Sequence, residues 1–148
     1  MLRKIIPDIV KRLKMISVTP DVTVYEGAKI MAKSNIAALI VTDTKGKLAG
    51  ILTERDLTQN VIAAGLDFRA TLIHKVMTAK PDTISPNDLA IDAFELMQTR
   101  GYRHLPVTED GICVSIVSMR DLYMSVKETL EQEIREAEAF AFPARYDT

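Results

Sequence analysis

The chain has no tryptophan, a single cysteine and two histidines, and only 5% of its 148 residues are aromatic. One cysteine, Cys113, excludes a disulfide within the chain. It sits in an apolar run, which reads as a buried structural thiol rather than a nucleophile. His74 and His104 have no cysteine or histidine neighbours at metal-site spacing, so no metal is expected. Neither sign of charge dominates: 19 Lys and Arg stand against 20 Asp and Glu. No strong field is therefore directed at nucleic acid or an anionic membrane. No apolar run is long enough to cross a bilayer. The start, MLRKIIPDIVKRLK, breaks its apolar residues with charges, unlike a signal peptide. There is no P-loop, no Rossmann glycine fingerprint and no nucleophile–base pair. These absences predict a cytoplasmic protein that is not an enzyme, holds no cofactor or metal, and engages neither nucleic acid nor membrane.

What the chain does have is a repeat. ILTERDL at Ile51 to Leu57 returns as IVSMRDL at Ile116 to Leu122. Aligning Pro20 with Pro86 brings Met31 to Met97, Leu39 to Leu105 and Val41 to Val107. After a one-residue deletion in the second copy's turn, Gly46 meets Gly111 and Arg55-Asp56-Leu57 meets Arg120-Asp121-Leu122. A single register with one turn deletion indicates duplication. Each copy reads as a short strand, a helix, a hairpin and a second helix. The short strands are placed at Met15 to Val18 and Asp82 to Ser85. The first helix of copy one spans Val24 to Lys33; in copy two Leu89, Ala93, Leu96 and Met97 recur at helical spacing. β-branched runs around DTKGK and around the Glu109-Asp110-Gly111 turn give the hairpins. One copy of about sixty residues buries its apolar faces poorly, so the two are expected to pack as a pseudo-twofold pair with two equivalent clefts. The fold class is mixed α/β, two β-α-β-β-α repeats with an N-terminal and a long C-terminal helix. The segments are 1–14, an amphipathic helix; 15–64, the first repeat; 65–77, a linker; 78–127, the second repeat; and 128–148, a helical extension and tail.

Thr53-Glu54-Arg55-Asp56 and Ser118-Met119-Arg120-Asp121 share a T/S-x-x-D pattern at a strand-to-helix junction. One reading is a capping box, with the acid reaching back to the cap's own amide. The other uses the same corner to hold a nucleotide. Free amides and a positive dipole end at a helix start suit phosphate. An aspartate one turn in accepts from a ribose diol, and Arg55 or Arg120 neutralises phosphate charge.

In the order of its elements, over Ser17 to Val126, the chain resembles a tandem pair of CBS domains, the regulatory unit called a Bateman module. The resemblance rests on VTPDVTVYEGAKIMAKSNIAALIVTDTKGKLAGILTERDL and on VMTAKPDTISPNDLAIDAFELMQTRGYRHLPVTEDGICVSIVSMRDL. It implies a sensor of adenosine ligands: AMP, ADP or ATP first, with NAD or S-adenosylmethionine as further candidates. It also implies signalling to an effector protein and a homodimer. By position, Asp56 and Asp121 are expected to hold ribose, and Thr53 and Ser118 to meet phosphate or ribose. Ser17, Val18, Thr83 and Ile84 are expected to flank adenine. So are Ile36, Ala37 and Ala38 in copy one and Tyr102, Arg103 and His104 in copy two, with Pro106 in the adjoining HLPV run. Ser115 replaces the glycine kept at Gly50. With Arg103 and His104, the second site is expected to be the more cationic and to prefer phosphorylated adenosine. The alternative is a ligand-free dimeric scaffold with vestigial clefts.

Two end segments stand apart. Ile5, Ile6, Ile9, Val10 and Leu13 have helix-like spacing among basic residues, which suits packing on the module or a sister chain, or contact with a membrane or nucleic acid. Leu122, Val126, Leu130 and Ile134 form a narrow apolar stripe for a partner helix, and the tail FAFPARYDT adds aromatics.

Overall fold

A computed structural model of the chain describes residues 2–141. Repeat one contributes β1 (Ser17–Val18), α1 (Val24–Ser34), β2 (Ala38–Thr42), β3 (Leu48–Thr53) and α2 (Glu54–Asp56). Past α2 the chain widens into five-residue turns over Leu57–Ile62, where the Ala63 N–H donates to the Thr58 carbonyl at 2.9 Å. After an irregular stretch comes β4 (Thr78–Ala79). Repeat two supplies α3 (Ala90–Arg100), β5 (His104–Glu109), β6 (Ile112–Ser118) and α4 (Met119–Ala141). The sheets are β1-β2-β3-β4, with β1 parallel to β2, and an antiparallel β5-β6 pair.

The periodic segments formed as their sequence dictates. Thr23 caps α1, its side chain accepting from the Glu26 N–H, and Asn35 ends it in the left-handed region. Gly101, at φ 75°, ends α3 in the same way. Each hairpin carries a register shift at the equivalent place, Val41/Thr42 and Val107/Thr108. The expected strand at Asp82 to Ser85 shrinks to a single parallel bridge between Ile84 and Val107. Its donors and acceptors are still used: the Ile84 N–H donates to the Pro106 carbonyl and the Thr108 N–H to that of Ile84.

The N-terminal segment is not the expected helix. It makes one irregular turn, Ile5–Ile9, in which Ile6 is extended at φ −118°, ψ 127°. Pro7 explains this, because it lacks an N–H and steers the residue before it away from helical angles. The segment instead straps repeat two. The Ile5 N–H donates to the Asp88 carbonyl, Ile6 to Pro86, and Ala90 to Arg3. Repeat one has the same three bonds: Ile73 to Val22, His74 to Pro20, and Val24 to Thr71. The 66-residue register superimposes the two sets, so residues 3–6 do for repeat two what Thr71 to His74 do for repeat one. Ile5 and Ile73 are both fully buried. The packing reading of this segment holds, on the module itself.

Each repeat has its own core. One gathers Val24, Met31, Leu39, Val41, Leu52, Val61, Ile73 and Val76. The other gathers Ile5, Ile84, Ala93, Met97, Leu105, Val107, Val117 and Leu122. A third cluster, Ala38, Ile40, Ile51 and Cys113, joins the two sheets. Cys113 is buried there as expected, and burial pushes its thiol up to about 11. Among the described residues no helix is long and apolar enough to cross a membrane.

A candidate ligand cleft between the repeats

Both T/S-x-x-D corners fold as capping boxes. The Thr53 N–H donates to Asp56 Oδ2 at 2.9 Å, and the Asp56 N–H to Thr53 Oγ1 at 3.2 Å. In repeat two the Ser118 N–H donates to Asp121 Oδ2 at 2.8 Å and the Asp121 N–H to Ser118 Oγ at 3.1 Å. The corners then differ. Ser118 Oγ also donates to Asp121 Oδ2, at 2.8 Å, so its proton is held inside the box. Thr53 Oγ1 only accepts within its box, which leaves its proton for a ligand. Each corner is tied to the loop after its own repeat's first helix, through Glu54 N–H to Ala37 carbonyl and Met119 N–H to Arg103 carbonyl.

A cleft of about 280 Å³ opens at the first corner. One wall is Ala37, Ile51, Thr53, Glu54, Arg55 and Asp56; the other is Pro81, Asp82, Arg100, Gly101, Tyr102, Arg103 and His104, with Thr78 between. It therefore draws on both repeats. Arg55 closes one end, its Nη1 donating to the Gly101 carbonyl at 3.2 Å. Asp82 lies 3.8 Å from Arg100. The cleft presents arginines at positions 55, 100 and 103 and carboxylates at 54, 56 and 82. Such a pair of signs suits a molecule that offers both hydroxyl donors and anionic oxygens. α2 runs on without a break into the wider helical turns over Leu57–Ile62, so its amino end adds to the positive charge of these side chains. His104 is half-buried. Burial holds its imidazole below the usual histidine range, while the carboxylates of Asp121 and Glu54 pull it back up.

Of the residues named from sequence, Ala37, Thr53, Arg55, Asp56, Tyr102, Arg103 and His104 come together here. The others do not line this cleft. Ser17 and Val18 pair with Ile40 and Val41 in the sheet. Ile36 packs against the first core and Ala38 lies between the sheets. Thr83 is exposed, Ile84 is in the second core, and Pro106 is buried opposite Ile116. Ser118, Arg120 and Asp121 form the second corner. Arg103 and His104, expected at the second site, line the cleft of Asp56, and His104 also feels the Asp121 carboxylate of the second corner. Asp82 and Arg100 were missed. Arg100 was legible in part, since a basic residue before glycine is a helix-stop signal that faces α3's end toward the cleft.

A family model for the CBS domain matches the chain twice, over residues 7–63 and 73–128. The chain belongs to the CBS domain family. Its relatives include the CBS domain-containing protein CBSCBSPB5 of Arabidopsis thaliana, 32% identical over 135 residues, or 89% of this chain. This CBS pair spans only 25% of that plant protein's length. Among solved structures, a CBS-domain protein of Burkholderia ambifaria is 35% identical, with a TM-score of 0.72 over 76% of this chain and 82% of its own. The CBS domain pair of protein MJ0100, solved with 5-methylthioadenosine and S-adenosyl-L-methionine, is 25% identical, with a TM-score of 0.67 over 83% of this chain and 92% of its own.

Proposed function

We propose that this CBS pair is a regulatory module that binds an adenosine ligand, an adenine nucleotide above all, in the cleft between its repeats. The observation that carries this reading is the meeting of Thr53 and Asp56 from one repeat with Arg100, Arg103 and His104 from the other. In this reading the capping box is not an alternative to ligand binding. It fixes the Asp56 carboxylate through Oδ2 and leaves Oδ1 to accept from a ribose diol. Thr53 donates its free proton, and the arginines face the phosphate. A likeness to a CBS pair crystallised with two adenosyl compounds supports the adenosine part. Its proposed role is regulatory rather than catalytic, in keeping with its place in the CBS domain family. Because its walls come from two repeats, a ligand that grips both favours one relative setting of the halves. That preference is what an effector protein reads. The module works as a homodimer.

A thermal-shift panel tests the proposal. AMP, ADP, ATP, 5-methylthioadenosine and S-adenosylmethionine are each added at millimolar concentration. A rise in Tm with at least one nucleotide, absent in Asp56→Ala, is expected. No rise with any of the five would favour the ligand-free scaffold instead.

A further inference from the structure

The arginines of the cross-repeat cleft are not equally available to a ligand. Arg55 Nη1 donates to the Gly101 carbonyl at 3.2 Å, and Arg100 Nε lies 3.8 Å from Asp82 Oδ2. The Arg103 guanidinium has neither a hydrogen bond nor an ion pair among the described residues. Its backbone is nevertheless fixed, the carbonyl accepting from the Met119 N–H at 2.9 Å. Arg103 is therefore a held but unengaged cation, while the other two already have partners. The duplication shows that this set belongs to one cleft. Under the register Arg100 and Arg103 correspond to Ser34 and Ala37, and Asp82 to Ile16, so repeat one offers the second corner no such charges.

We infer that the cleft reads a single phosphate, that of a nucleoside monophosphate, and that Arg103 is the residue that selects it. This rests on the adenosine-ligand reading above and narrows it. The lining carries three guanidiniums and three carboxylates, which cancel. His104 adds no charge at pH 7.5, since its pKa lies below 6.5. One phosphate pairs with Arg103 without breaking a resting contact, and the planar guanidinium suits two of its oxygens at once. A further phosphate has no unengaged cation left. It must take Arg55 from Gly101 or Arg100 from Asp82, and the second choice leaves the Asp82 carboxylate facing the new anion. Glu54 on the opposite wall adds to that repulsion. The size of the cleft agrees: about 280 Å³ stands at the low end of the roughly 300–1,000 Å³ of small-ligand pockets.

Isothermal titration of adenosine, AMP and ATP into the full chain at pH 7.5, with ATP run both with and without magnesium, tests this. AMP is expected to bind at least tenfold more tightly than adenosine and at least threefold more tightly than ATP. Arg103→Ala should bring AMP to within about threefold of adenosine, and adenosine binding by the same variant shows that its cleft is still formed. Failure of all three compounds to bind the wild type overturns the adenosine reading and this inference with it. ATP binding as tightly as AMP in either condition, or AMP binding no more tightly than adenosine, overturns only the single-phosphate reading. A gap between AMP and adenosine that survives Arg103→Ala overturns the assignment to Arg103.

Discussion

Two residues at one register position show how the duplicated unit tolerates asymmetry. A Cβ on Gly50 would lie 2.6 Å from Met77 Sδ and 3.0 Å from the Thr78 carbonyl oxygen. β4 pairs at Gly50 itself, and the contact leaves no room. Gly50→Ala is therefore expected to lower stability by about 1–3 kcal/mol, the usual cost of overpacking. Denaturant unfolding measures it, and an unchanged midpoint would refute the tight contact. In repeat two the same position is Ser115, fully buried, with a hydroxyl that has no partner among the described residues. Removing an unpaired buried hydroxyl takes away a penalty, so Ser115→Ala should be neutral or stabilise by about 1 kcal/mol. A clear loss of stability would mean that Oγ has a partner. His104 sets a pH dependence. Its folded-state pKa lies below the 6.5 of the free side chain, so the unfolded chain takes up its proton first. Its contribution to stability is present above 6.5 and is lost as pH falls below that. A phosphate in the cleft favours the protonated ring, so nucleotide affinity should rise between pH 7.5 and 6 while adenosine affinity stays flat. Calorimetry at the two pH values checks this, and His104→Ala should abolish the difference.

At the scale of elements, the repeat register was legible because the T/S-x-x-D corner and the apolar positions recur in one register with a single turn deletion. Both hairpins and both first helices follow from it. The N-terminal segment was misread because the periodicity of Ile5, Ile6, Ile9 and Val10 fits a helix, while Pro7 and the outer edge of a distant repeat decide otherwise. Local spacing cannot show that Asp88 and Pro86 offer carbonyls to Ile5 and Ile6. The strand expected at Asp82 to Ser85 was overcalled for a related reason: its partner β5 accepts it only at Ile84. The strap now carries a stability prediction. Ile5→Ala should cost about 2–5 kcal/mol, as for any fully buried isoleucine, although Ile5 precedes both repeats in sequence. A thermal midpoint that does not move would mean the strap is dispensable.

At the scale of the whole molecule, the site was half legible. The motif gave Thr53, Arg55 and Asp56, and the resemblance gave Tyr102, Arg103 and His104. Sequence alone assigned the two groups to different sites, because a register aligns equivalent residues and says nothing of which ones face each other. Packing about a pseudo-twofold axis brings unlike ends together, so the cationic loop of repeat two meets the acidic corner of repeat one. This cross-repeat cleft is tested most directly by isothermal titration of AMP and ATP into the wild type, Asp56→Ala, Arg103→Ala and Asp121→Ala. Saturable binding is expected that is weakened at least tenfold by either Asp56→Ala or Arg103→Ala, changes made in different repeats, and changed little by Asp121→Ala. Binding that survives both of the first two changes, or that is lost only with Asp121→Ala, would contradict it.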